Sequence, residues 1–262
     1  MDLGLTGKRA LVIGASQGIG AAAARALAAE GARLAVASRS PEALEAIALE
    51  IRNTGGEAAV IAGDLTKPGD AARIVAETVA RLGGLDVLVV SAGAAQGGSF
   101  LELDDQVWAD AFDLKFMGMV RMLRAAVPAM REGGGGRVVV VVGNNGRQPA
   151  AAMLPGSAAN AACLAVIKGL ADAVAVDGIT INALNPGPTR TGRWARLIQN
   201  LSRQANRPAE EVEAEQLARM PMGRIGEPDT MGRLVAILAS DLADMVTGTS
   251  LTADGGATKS LA

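Results

Sequence analysis

The sequence contains no tyrosine and no histidine, a single cysteine, and aromatic residues at only 2% of its 262 positions. Without a phenol or an imidazole, any proton transfer must use other groups. The lone Cys163 excludes an intramolecular disulfide framework, and the lack of histidine removes the usual zinc-ligand clusters. No metal is expected. A net charge of −2 and an isoelectric point near 5.4 give no long-range attraction for nucleic acid or an anionic membrane. A small molecule is therefore the expected partner. The start, Met1-Asp2-Leu3-Gly4, shows neither a basic n-region nor an apolar h-region, and no apolar run is read as membrane-spanning. A cytoplasmic location is the expectation.

What is present is core material. Half of the residues are hydrophobic and 20% are charged, a balance that can offset chain entropy. From Arg9 to about Leu184, short β-branched runs alternate with Ala/Leu-rich stretches of helical period, which predicts repeated βαβ units and a parallel sheet. Strands are expected at 9–13, 33–37, 58–61, 86–90, 138–142 and 179–181, with a seventh around Ser250-Leu251-Thr252. Their near-continuous apolarity fits strands buried on both faces. Ser40-Pro41-Glu42 reads as N-cap and first helical turn, with Gly55-Gly56 ending that helix. Gly133 to Gly136 reads as a surface turn, because no helix follows to make it a phosphate cradle. The expected architecture is α/β, a doubly wound Rossmann-type single domain over 1–262, with a mostly parallel seven-stranded sheet. A helical lobe at about 191–222 interrupts the alternation beside the carboxyl edge.

Directly after the first predicted strand stands Gly14-Ala15-Ser16-Gln17-Gly18-Ile19-Gly20, followed by the helical stretch Ala21 to Glu30. Strand, glycine turn and helix in this order suit a dinucleotide pyrophosphate. Glycine permits close backbone approach, and the helix N-terminus offers unpaired N–H groups. The Gly-x-x-x-Gly-x-Gly spacing resembles that of the short-chain dehydrogenases/reductases, and further motifs follow in that family's order along nearly the entire chain. Asp64-Leu65 resembles its adenine-contacting acid and the residue after it. Ala92-Gly93 resembles the end of its Asn-Asn-Ala-Gly turn, and Asn185-Pro186-Gly187-Pro188-Thr189-Arg190-Thr191 its nicotinamide loop. The resemblance implies that Gly14, Ser16, Gln17, Gly18, Ile19, Gly20, Asp64, Leu65, Ala92, Gly93, Pro186, Gly187, Thr189 and Thr191 hold the cofactor, and that the protein is a homotetramer. At the end of the second strand, Ser38-Arg39 replaces the acid that would hold a ribose hydroxyl. NADP is expected rather than NAD, with a solvated arginine as the bland alternative.

The family's reacting groups are Asn, Ser, Tyr and Lys. Aligned through their ungapped neighbours, these positions carry Lys115, Gly143, Gly156 and Asn160. A one-residue shift would offer Asn144 for Ser or bring Ser157 near the Tyr position, but no shift supplies a tyrosine. Lys115 and Asn160 thus exchange the family's Asn and Lys. One reading returns an ammonium to the pocket from the opposite wall as acid or base, with Asn160 and Asn144 orienting a substrate oxygen; the other leaves Lys115 facing solvent or a neighbouring subunit. Asn144-Asn145-Gly146 also reads as a plain polar turn. Cys163 reads as a small buried residue and Lys168 as an exposed charge. Two functions remain open: an NADP(H)-dependent oxidoreductase on a carbonyl/alcohol pair with an unorthodox site, or a dinucleotide-binding protein without hydride transfer, such as a non-catalytic subunit, lyase or isomerase.

Overall fold

A strand buried on both faces needs a helix over each face, and the chain supplies them by alternation. The computed structural model describes residues 2–93 and 96–260. Its strands are β1 (Arg9–Ile13), β2 (Arg33–Ser38), β3 (Ala58–Ala62), β4 (Val87–Val90), β5 (Gly136–Val141), β6 (Ile179–Pro186) and β7 (Ser250–Ala253). The helices are α1 (Gly18–Ala29), α2 (Pro41–Asn53), α3 (Asp70–Leu82), α4 (Asp105–Ala111), α5 (Gly118–Glu132), α6 (Leu154–Val174), α7 (Gly192–Ala205), α8 (Ala209–Ala218) and α9 (Pro228–Leu238).

The seven strands lie in the order β3-β2-β1-β4-β5-β6-β7. All six pairings are parallel, so the sheet is wholly rather than mostly parallel. The seventh strand joins by continuing the right-hand edge beside β6. This is a Rossmann-type doubly wound sheet, and its strand order reverses between β1 and β4. In sheets of this kind, ligands bind beyond the carboxyl ends of the strands at such a point.

Two apolar layers sandwich the sheet. One packs Leu11, Leu88, Val138 and Ile181 under α3, α5 and α6; the other packs Val12, Val36, Val89 and Val139 under α1, α2 and α9. Ser40 caps α2 as its residue type predicts, accepting from the Ala43 amide at 3.3 Å, with Pro41 in the first turn. Gly133 caps α5 and Gly136 already belongs to β5. Helix α9 lies unusually close to α1: a Cβ on Gly232 would stand 2.5 Å from the Ala22 carbonyl oxygen, so only glycine allows these backbones to meet.

Helices α7 and α8 lie in the segment between β6 and α9. Its own small core joins Trp194, Ile198 and Ile225, and the Trp194 indole N–H donates to Glu213 at 2.7 Å. The stretch 151–177 is continuous enough in helix and apolar enough to match a membrane span by length and composition. Alanines rather than large side chains carry its apolarity, which hides it from a search for apolar runs. Here its inner face, with Cys163, Ile167 and Ala171, packs into the sheet's core.

Candidate active site

The glycine loop is shaped by contacts that exclude side chains. A Cβ on Gly14 would lie 2.8 Å from the Ser91 carbonyl group, and one on Gly20 would collide with the Gly14 carbonyl oxygen. The loop therefore presses on the end of β4 and folds back on itself, while Gly18 adopts φ +58°. Gln17 extends into the N-cap position but gives no side-chain cap, so the first-turn N–H groups of α1 remain available for an anion. Opposite them, Thr191 approaches the loop: a Cβ on Gly18 would lie 3.3 Å from its methyl group. The Thr189 hydroxyl donates to the Gly187 carbonyl at 3.0 Å and the Thr191 hydroxyl to the Thr189 carbonyl at 3.3 Å, holding this wall in shape. A narrow, N–H-lined cradle between two loops fits a dinucleotide's pyrophosphate. Gly20→Ala should displace the Gly14 backbone and weaken NADPH binding at least about tenfold in a fluorescence titration. Gly169→Ala, where an added Cβ meets nothing within 4 Å, should leave that affinity unchanged.

At the adenosine end, Ser38 accepts from the Ser40 amide at 3.3 Å. Arg39 is exposed, with no ion pair or hydrogen bond among the described residues. It is close enough to act on Asp64. Burial works to raise the pKa of Asp64, but hydrogen bonds from the Thr66 amide and hydroxyl and the charges of Arg39 and Lys67 bring it below the usual carboxylate value. Leu65 offers the cofactor region its backbone rather than its side chain. Its side chain is buried in the core, and its carbonyl accepts from Arg121 at 2.8 Å. Apolarity draws the side chain inward.

The reacting-group positions gather at the carboxyl end of β5. Lys115 sits in a single π-helical turn, Phe112–Met117, inserted between α4 and α5. Such turns re-aim side chains and free carbonyls; the Lys115 carbonyl accepts from the Cys163 thiol at 3.8 Å. The Lys115 ammonium does not face open solvent. It donates to the Val141 carbonyl at 2.9 Å and the Val142 carbonyl at 3.0 Å, and its stem lies against Gly93. Burial, with the charge of Arg193 adding to it and the Cys163 thiol opposing, lowers its pKa to about 8. Cys163 is fully buried, which pushes its own pKa up.

Asn160 reaches the same strand end from α6. A Cβ on Gly143 would lie 3.1 Å from its amide nitrogen, so glycine at that position makes room for the asparagine. Gly156 stands one helical turn before Asn160 on the same face. Lys115 and Asn160 are thus brought together around Val142-Gly143. Asn144 is not aimed with them: its amide donates to Asp254 at 3.4 Å, in a short turn tied to the C-terminal loop. Ser157 is also committed elsewhere, donating to the Met153 carbonyl and accepting from the Ala150 amide. Arg193 was missed in the sequence. It lies two residues past the Thr191 motif, in the first turn of α7, and donates to the Gly93 carbonyl at 3.4 Å across the mouth of the cleft. Only its position just beyond the loop motif could have marked it.

A parallel sheet read at its switch point, with a glycine-lined cradle there, defines a dinucleotide-binding protein of the short-chain dehydrogenase/reductase kind. The chain belongs to this family: a family model described as enoyl-(acyl carrier protein) reductase matches residues 14–258. It is 35% identical over 262 residues to oxidoreductase UcpA of Escherichia coli, covering 97% of this chain and 95% of that one. It is 31% identical over 256 residues to the NADPH-dependent reductase BacG of Bacillus subtilis, covering 97% and 99%. L-sorbose reductase of Gluconobacter frateurii, solved with NADPH and L-sorbose, superimposes with a TM-score of 0.95 at 29% identity, with 100% of both chains covered.

Proposed function

We propose that the protein is an NADP(H)-dependent oxidoreductase acting on a carbonyl/alcohol pair, with Lys115 as its proton donor and acceptor. The observation that carries this reading is the Lys115 ammonium, tied to two carbonyls at the end of β5. The cofactor reading is supported by the glycine cradle, by the free Arg39, and by NADPH in the relatives named above. When bound, the dinucleotide supplies or accepts the hydride. Gly18, Ile19 and Gly20 would hold its pyrophosphate through α1 N–H groups, and Ser38 and Arg39 its adenosine phosphate.

Lysine has three donors, and the Val141 and Val142 carbonyls take two. In the ammonium form the third N–H is left for a substrate oxygen. In the amine form both carbonyls remain satisfied and the lone pair takes that place. The same side chain can therefore give a proton during reduction and take one during oxidation, without moving. Asn160, whose amide makes no hydrogen bond among the described residues, is placed to orient the substrate oxygen. The protein is further proposed to be a homo-oligomer, a reading supported by the exposed apolar side chains Val176, Leu242 and Met245.

The pH dependence tests this. With the proton held below about 8, kcat/KM for carbonyl reduction should be flat in acid and neutral solution and fall as pH rises through about 8. Alcohol oxidation should show the mirror image, rising through the same pH. A reduction rate indifferent to pH from 7 to 10 would remove Lys115 from the chemistry, at roughly one decade per unit expected.

A further inference from the structure

Elsewhere on this protein, most arginines come with acids. Arg9 pairs with Asp86, Arg131 with Asp177, Arg190 with Glu213 and Glu227, and Arg207 with Glu211 and Glu215. Arg193 and Arg196, in the opening turns of α7, form no ion pair among the described residues. Arg193 instead reaches to the Gly93 carbonyl with a long bond of 3.4 Å. Gly93 is also where Lys115 lies, since a Cβ there would stand 3.2 Å from the Lys115 nitrogen. Guanidinium and ammonium therefore flank one backbone residue at the end of β4.

The charge of Arg193 reaches Lys115. The Arg193 charge depresses Lys115, and Arg193 is itself lowered by burial of its head group and by Arg196, although the residue as a whole is exposed. No carboxylate contributes to either group. Like charges brought to one backbone residue cost stability unless a ligand brings the counter-charge. An anion could come from the dinucleotide's pyrophosphate or from the substrate. The pyrophosphate cradle is at α1, where Thr191 forms the facing wall. Arg193 donates instead to Gly93, against which the Lys115 side chain lies.

We infer that the substrate is an oxo acid, whose carboxylate is clamped by Arg193 so that its carbonyl oxygen lies at Lys115. A guanidinium offers a carboxylate two parallel N–H donors, which the single long bond to Gly93 does not use. This rests on reading the cleft as a reductase site. Arg196 strengthens the field without a contact of its own.

The test uses the protein saturated with NADPH, titrated with 2-, 3- and 4-oxo carboxylic acids and their methyl esters. Bound-NADPH fluorescence reads binding, and NADPH absorbance reads turnover. At least one acid should bind about tenfold or more tighter than its ester. Arg193→Gln should raise the KM of that acid about ten- to a hundredfold, leave the ester unchanged, and shift NADPH affinity by less than about threefold, with Arg193→Lys recovering part of the loss. Esters binding as well as acids, or no acid perturbing bound NADPH, overturns the inference. So does an equal weakening of acid and NADPH in Arg193→Gln, which would give the arginine to the cofactor. Arg193-dependent acid binding with no NADPH consumed supports the clamp and sinks the reductase reading instead.

Discussion

Lys115→Met should lower turnover by about a hundred- to ten-thousandfold, the usual contribution of a positioned acid or base, while NADPH still binds. The substitution also strips a donor from the Val141 and Val142 carbonyls, so lost activity could reflect a disturbed strand end. Lys115→Arg separates the two effects. A guanidinium can donate to both carbonyls and keeps the positive charge, yet it does not release a proton in this pH range. Turnover should therefore remain low in the arginine variant, with melting temperature and NADPH affinity close to those of the parent. An arginine variant that turns over at the parental rate, or that keeps an inflection near pH 8, would show that Lys115 serves only to fasten the end of β5. If NADPH binds both variants and the parent, yet no carbonyl substrate is ever consumed, the second reading of the sequence, a binding protein without hydride transfer, takes over.

Arg39→Asp should reverse the choice of dinucleotide. Arg39 has no hydrogen bond or ion pair to lose among the described residues, only its longer-range attraction for Asp64, so its removal costs the fold little. A charge-assisted hydrogen bond to a phosphate contributes about 1.5–3 kcal/mol, and an aspartate in its place adds repulsion; NADPH affinity should fall about a hundredfold or more. NADH should bind as well as before or better, because a carboxylate accepts from the ribose hydroxyls. Calorimetric titration with both dinucleotides measures this directly. Equal losses for NADPH and NADH would mean that Arg39 acts through Asp64, whose ionisation it favours, rather than on the phosphate.

Much of this was legible along the chain because it depends on local chemistry. Strand cores such as Leu11-Val12-Ile13 are apolar on both faces, and Ser40-Pro41 caps its helix by residue type alone. The order of Gly14, Gly18 and Gly20 between a strand and a helix announces the cradle. What escaped depends on contacts between distant segments. The direction of Asn144 is set by Asp254, far along the sequence. The direction of Lys115 stayed open between two readings, because it depends on one π-helical turn and on the Val141 and Val142 carbonyls at the end of β5, neither of which has a sequence signature. Leu65 follows a motif in sequence yet yields its side chain to the core, since burial of a leucine contributes about 2 kcal/mol that a backbone contact to cofactor does not require it to give up. Arg193 escaped because its meaning lies in what it lacks, an acidic partner, and pairing cannot be read from a linear chain.

The near-contact of Gly232 with the Ala22 carbonyl bears on the order in which the protein becomes competent. Helix α1 presents the anion-binding N–H groups, but the layer that seats it includes Met231, Val235 and Ala236 of α9, encoded some two hundred positions later. During synthesis, the glycine turn is made long before α9, so part of the layer that seats its helix does not yet exist. A nascent chain halted before Pro228 should emerge with the motif intact and with no grip on the dinucleotide, which makes cofactor capture a signal that the whole polypeptide has arrived.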